Sequence, residues 1–152
     1  MIHTPILRRF LSPMLLFLVA ACTGAAQAST VTMFRDPNCG CCMEWAEHAH
    51  AGLEREVEVR EDVPMGEVKA RLGVPANLAS CHTTEIDGYI IEGHVPAREV
   101  ARLLREKPAD IRGLAVPGMP LGSPGMEMGD RVQPYQVLAF GDFGVRVYAS
   151  YP

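Results

Sequence analysis

The sequence predicts a small α/β fold, a mixed sheet with flanking helices, on three observations. Two short runs, 31–34 and 56–60, alternate apolar and polar residues as half-buried strands do. Each is followed by a segment with apolar residues at helical spacing, 42–50 and 64–72. A third helical segment, 96–106, follows a run over 83–91 that is broken by Asp87-Gly88, the dipeptide of a tight hairpin turn. Alternating strands and helices argue for helices packed on a sheet, and a hairpin makes that sheet mixed rather than all parallel.

Val31-Thr32-Met33-Phe34 is the first strand, and Asp36-Pro37-Asn38 ends it. Over 42–50 the helix places Cys42, Trp45, Ala46 and Ala49 inward and Glu44, Glu47 and His48 outward, with Gly52 as its C-cap. Cys39 then sits on the strand-to-helix turn and Cys42 in the first helical turn. Free backbone N–H groups and the helix dipole stabilise thiolates there. The strand over 56–60 leads to a helix that opens on Pro64 and stops at Gly73. The helix over 96–106 is apolar at Val100, Leu103 and Leu104. From 112 to 133 the chain turns Gly-, Pro- and Met-rich and reads as one long loop packed on the domain. The runs 137–140 and 145–148, around a turn at 141–144, close the chain as a second hairpin. The order β-α-β-α-β-β-α is that of a thioredoxin-like domain. The expectation is a thioredoxin-like unit over 29–152, with an added Met/Gly/Pro-rich loop and C-terminal hairpin.

Residues 1–28 read as an export signal: Arg8 and Arg9, an apolar core over 15–21 too short to span a membrane, and Ala26-Gln27-Ala28 before Ser29. A second cut fits the alternative: Val19-Ala20-Ala21-Cys22 resembles a lipoprotein box, with 1–21 removed and Cys22 lipidated as the only membrane attachment. The expected location is the periplasm. Losing Arg8 and Arg9 makes the formal net charge two units more negative than the −4 of the whole chain. A mildly acidic domain without a Lys/Arg cluster excludes nucleic acid as a partner.

Three cysteines occupy four positions, Cys39-Gly40-Cys41-Cys42, and Cys81 precedes His82. Clustered thiols oxidise, scramble and scavenge metal, so their retention in an exported chain points to soft-metal binding or thiol–disulfide chemistry. A structural bridge fits the spacing poorly, because bonds within so short a run are strained and only one of the three can comfortably reach Cys81. In a thioredoxin-like arrangement the loop before the third strand, Cys81-His82-Thr83, lies against the turn that carries the other cysteines. Converging thiolates select soft ions, and a cramped C-x-C-C run suits bridging of several Cu(I) ions better than one tetrahedral Zn.

Met119, Met126 and Met128 lie in the irregular loop, where thioether sulfur would favour Cu(I), although methionine also fills gaps in cores. Among the histidines, His82 and then His94 are the candidate ligands or supporting groups; His48 and His50 are expected to be solvated and Trp45 to be core. The competing reading takes Cys39 and Cys42 as a C-x-x-C exchange pair in a thiol–disulfide or copper oxidoreductase. Cys41 between them would trap mixed disulfides, and Cys81-His82-Thr83 stands where such enzymes usually carry a proline. No G-x-S-x-G, P-loop or H-E-x-x-H is present.

Several motifs in the same order, from about 31 to 148, resemble the CopG-type periplasmic copper-resistance proteins. They are Asp36-Pro37-Asn38-Cys39-Gly40-Cys41-Cys42, Leu72-Gly73-Val74-Pro75, Ser80-Cys81-His82-Thr83, Tyr89-Ile90-Ile91-Glu92-Gly93-His94-Val95-Pro96, Gly113-Leu114-Ala115-Val116-Pro117-Gly118-Met119-Pro120 and Gly122-Ser123-Pro124-Gly125-Met126-Glu127-Met128. The resemblance implies a thioredoxin-like fold, Cu(I) held by Cys39, Cys41, Cys42 and Cys81, and Met119, Met126, Met128, His82 and His94 around them. It also implies a role in envelope copper handling alongside other copper-resistance proteins.

Overall fold

The computed structural model describes residues 30–152, so the export-signal reading and Cys22 lie outside the described residues. Seven strands form one sheet in the order β2-β1-β3-β4-β5-β6-β7. In chain order these are β1 (Val31–Arg35), β2 (Val57–Arg60), β3 (His82–Ile86), β4 (Tyr89–Glu92), β5 (Gly113–Ala115), β6 (Tyr135–Gly141) and β7 (Gly144–Tyr151). The helices are α1 (Gly40–Leu53), α2 (Met65–Leu72) and α3 (Ala97–Glu106), with a single 3-10 turn at Ala76–Leu78. β1 runs parallel to β2 and antiparallel to β3, and β4 runs parallel to β5; the remaining neighbours are antiparallel. The sheet is therefore mixed, as expected.

Alternation along the strands builds two cores. Val31, Met33, Ile91, Leu114, Val137 and Ala139 face α1 and α3, which supply Trp45, Ala49, Val100 and Leu103. Ile90, Ala115 and Phe140 point to the opposite face with Leu78, Leu72 and Val74. The inward set expected on the first helix, Cys42, Trp45, Ala46 and Ala49, is the buried set.

Three local expectations are corrected. α1 runs past Gly52 to Leu53 and ends on Glu54 in the left-handed region; a Cβ on Gly52 would lie 2.5 Å from that of Ala97, so the glycine serves close packing on α3. The segment read as a loop from 112 contains β5. Its three residues are buried on both sides, which erases the alternation that marks a strand, and a Cβ on Gly113 would strike the Ile90 carbonyl. His48, expected in solvent, is half-buried between α1 and α3. Among the described residues no helix is long and apolar enough to cross a membrane.

Candidate metal centre

The centre is built at the end of β1. Asp36 accepts the Asn38 backbone N–H through Oδ1 at 2.8 Å, and Cys39 N–H closes the turn on the Asp36 carbonyl at 3.0 Å. Arg35 reaches over this turn and donates to the Cys39 carbonyl at 2.7 Å while pairing with Glu61. Cys39 is thereby the N-cap of α1, without a side-chain capping bond, and Cys41 and Cys42 occupy the first turn. All three sulfurs stand at the positive end of the helix.

Cys81 arrives from the irregular segment before β3. The sulfurs of Cys39, Cys41, Cys42 and Cys81 all lie within 4.8 Å of one another. Cys39 and Cys42 are joined as a disulfide, with Cα atoms 5.5 Å apart, while Cys41 and Cys81 are free. The bond is the one that the competing C-x-x-C reading pairs, and it corrects the expectation that a bridge within the run fits the spacing poorly. A C-x-x-C pair that straddles the helix cap brings its first and fourth residues onto one side, at a separation a disulfide accepts. Cys41 stays close, its sulfur 3.6 Å from that of Cys39.

His82 and His94 complete the group. Cys81 Sγ lies 3.0 Å from His94 Nε2 and 3.4 Å from His82 Nδ1. His94 Nδ1 stands 2.7 Å from the Pro124 carbonyl, which can only accept, so the proton sits on Nδ1 and Nε2 turns a lone pair toward Cys81. Both imidazoles are fully buried, and burial holds each below the ordinary histidine range. His82 Nε2 has no hydrogen-bond partner among the described residues, and its ring packs on Trp45 with centroids 4.5 Å apart. Burial, and then the charge of Cys41, push the Cys81 thiol up to about 11. Cys81 is thus protonated at neutral pH and must release that proton to bind metal.

The glycine- and proline-rich segment is fastened over this group. Ser80 Oγ donates to the Gly118 carbonyl at 2.5 Å, and His94 holds Pro124. Gly125, at φ +81, lies so close to α1 that a Cβ would meet the Cys41 carbonyl and Trp45 nitrogen at 2.8 Å. Met126 follows this contact and is half-buried, whereas Met119 and Met128 are each 51% exposed. Met128 Sδ accepts from Arg131 at 3.6 Å. The structure thus brings together the four cysteines, His82 and His94, half-buries Met126 next in the chain to the Gly125 contact, and leaves Met119 and Met128 at the surface. A cleft of about 640 Å³, lined by Pro117, Pro120, Tyr135, Leu138 and Tyr151 among others, includes none of the cysteines or histidines.

The roles of four supporting residues had no signal in the sequence, although Thr83 and Glu92 stand within the quoted motifs. Arg35 organises the cysteine turn, and Glu92, Lys69 and Thr83 form a buried network beside Cys81. Charged residues in short strands and helices read as surface, and nothing local marks them as partners across the sheet.

A family model described as "Protein of unknown function, DUF411" matches residues 78–126, which includes Cys81, His82, His94 and the loop to Met126. No curated protein matches the chain. Two solved structures are similar over nearly their whole length. One, "Copper resistance protein copG- Form 2", is 48% identical with a TM-score of 0.75 and covers 81% of this chain and 98% of its own. The other, "Copper resistance protein copG- Form 1", is 47% identical with a TM-score of 0.76 and covers 83% and 99%. Coverage of more than four fifths of this chain and nearly all of the others at this identity shows that the chain belongs to the CopG-type copper-resistance family.

Proposed function

We propose that this protein binds Cu(I) through Cys39, Cys41, Cys42 and Cys81 as a polynuclear thiolate cluster, in copper resistance outside the cytoplasm. The observation that carries the reading is the convergence of four sulfurs within 4.8 Å at a helix N-terminus, flanked by an imidazole lone pair. The donor set is soft, and the helix end favours thiolate. His94 and His82 supply nitrogen donors at the rim, and Met126 a thioether. Met119 and Met128 serve as exposed soft ligands along the path of copper to and from the centre.

The Cys39–Cys42 disulfide is the oxidised state of this site. A disulfide sulfur is a poor ligand, so two electrons and two protons from a dithiol reductant convert a two-thiol site into a four-thiol one. The order β2-β1-β3-β4, with α1 after β1, supports a thioredoxin-like reading of this half of the molecule.

The test is metal stoichiometry of the reduced protein after anaerobic Cu(I) loading and desalting, with Zn in parallel. A single tetrahedral ion with sulfur at about 2.3 Å sets sulfurs about 3.8 Å apart, a spacing that convergence within 4.8 Å does not by itself separate from a cluster. Stoichiometry therefore decides. More than one retained copper per chain supports the cluster, and one ion per chain replaces it with a mononuclear site.

A second reading is favoured by the disulfide itself: a thiol–disulfide or copper oxidoreductase using Cys39 and Cys42. It requires chelator-insensitive turnover in an insulin-reduction assay, or catalytic change in copper oxidation state. Cys41, 3.6 Å from Cys39, competes with the resolving thiol in the first of these.

A further inference from the structure

Three of the four cysteines ride on α1 and its cap, a rigid element. Cys81 does not; it lies in irregular chain between the 3-10 turn and β3. A metal centre needs its ligands fixed to within about 0.5 Å, so something must hold Cys81. The β1–β3 ladder and the Gly93 N–H, which donates to the His82 carbonyl at 2.9 Å, hold His82, and a buried carboxylate reaches both sides of the pair. Glu92 on β4 is fully buried, and its two oxygens grip the residues on either side of the Cys81-His82 pair. Oε1 accepts the Ser80 backbone N–H at 2.5 Å and Oε2 the Thr83 hydroxyl at 2.6 Å. Lys69 of α2 neutralises the carboxylate at 2.5 Å and donates to the same Thr83 oxygen at 2.9 Å.

The sheet does not ask for a charge here. Glu92 is the cross-strand partner of Thr83 and continues a strand whose preceding residues are Ile90 and Ile91. An apolar residue would fill the position without the desolvation cost of a buried ion pair. What the carboxylate adds is two acceptors at a fixed spacing, one for each flank of Cys81-His82. From Ser80 the chain of bonds continues to the Gly118 carbonyl, so the same clamp reaches the loop over the centre.

We propose that Glu92, with Lys69 as its counter-ion, is a positioning residue for the Cys81 half of the centre. It keeps Cys81 Sγ against His94 and the other sulfurs whether Cys39 and Cys42 are oxidised or reduced. The copper part of this inference rests on the function proposed above; the clamp itself does not. Half of the site is therefore preformed in the disulfide state, and reduction completes the other half.

The experiment uses Glu92→Gln in the full chain, which removes the charge and one acceptor at nearly constant volume. Two quantities are read: iodoacetamide alkylation of Cys81 relative to Cys41 in the disulfide form, and Cu(I) affinity of the reduced form against a chromophoric chelator. The variant is expected to raise the Cys81:Cys41 ratio about tenfold and weaken Cu(I) binding about 10- to 100-fold, the usual scale for losing a group that orients a ligand. The Cys39–Cys42 disulfide should still form. Lys69→Arg, which keeps charge and donors, should stay near wild type. Should Glu92→Gln not fold, Thr83→Val, which is isosteric and leaves the ion pair intact, shows the same shifts at smaller size. A folded variant with unchanged ratio and affinity overturns the clamp and leaves the copper reading standing. A raised ratio in a protein whose wild type takes no Cu(I) supports the clamp and removes the copper reading.

Discussion

Cys41 is the residue on which the two functional readings part. It takes no share in the Cys39–Cys42 disulfide, yet it stands within 4.8 Å of all three other sulfurs. Cys41→Ser should keep the disulfide and its reversible reduction while losing most Cu(I) capacity, measured as retained copper per chain beside free-thiol titration. Full copper retention in that variant would remove Cys41 from the site. The residues that converge here, the four cysteines with His82 and His94, were legible in the sequence as candidates, because clustered thiols and a Cys-His pair are rare enough to announce chemistry. The Cys39–Cys42 pairing was legible as the competing C-x-x-C reading, but the ease of closing it was not. Spacing alone suggests strain in so short a run, and the helix cap between Cys39 and Cys42 makes the 5.5 Å approach natural. Nor was the role of Glu92 legible, since burial of a carboxylate depends on a lysine 23 residues away.

At the scale of elements, the contact of α1 with α3 carries the histidine side of the centre. Trp45 donates to the Val95 carbonyl at 2.9 Å, and His48 Nε2 accepts the Ala97 N–H at 3.0 Å. Pro96 provides no side-chain cap for α3, so His48 caps it from a neighbouring helix. His48→Ala should cost about 1 kcal/mol, the usual value for losing a cap, read by denaturant unfolding. This cap works only with neutral imidazole. Burial lowers the pKa of His48 from 6.5 more than nearby Glu127 raises it. The unfolded chain therefore takes up the proton first as pH falls. The contribution is present above pH 6.5 and is lost as pH drops toward the folded value. Thermal midpoints should fall on acidifying through this range, and His48→Gln, which does not titrate, should flatten part of the fall. An unchanged slope would discount the cap. The loop offers a further test. Gly125→Ala places a methyl 2.8 Å from α1 backbone atoms in a left-handed conformation. It should cost about 1–3 kcal/mol and speed proteolysis between Pro117 and Met128. Most elements were legible from period and turn chemistry. The exceptions were β5, buried on both faces, and the last turn of α1, where Gly52 looked like a stop signal but serves close packing.

For the whole molecule, the seven-stranded sheet places β1 and β3 side by side, and that adjacency brings the helix-borne cysteines and Cys81 to one place. The alternation and the hairpin dipeptide made a mixed α/β sheet legible. The length of the sheet was not, since β5 is the link that joins the C-terminal hairpin to β4. A ligand that binds only the folded, reduced protein must stabilise it, by about 4 kcal/mol at a thousandfold excess over Kd. Cu(I) should therefore raise the thermal midpoint of the reduced protein and leave the disulfide form nearly unchanged. Equal shifts in both forms would show binding outside the four-sulfur centre.

The most direct test of the account is the copper retained per chain by one preparation before and after reduction of Cys39–Cys42, loaded with Cu(I) under strict anaerobiosis. The account predicts more than one copper per chain in the reduced protein and at most one in the disulfide form. No retained copper after reduction, or equal uptake by both forms, would contradict it.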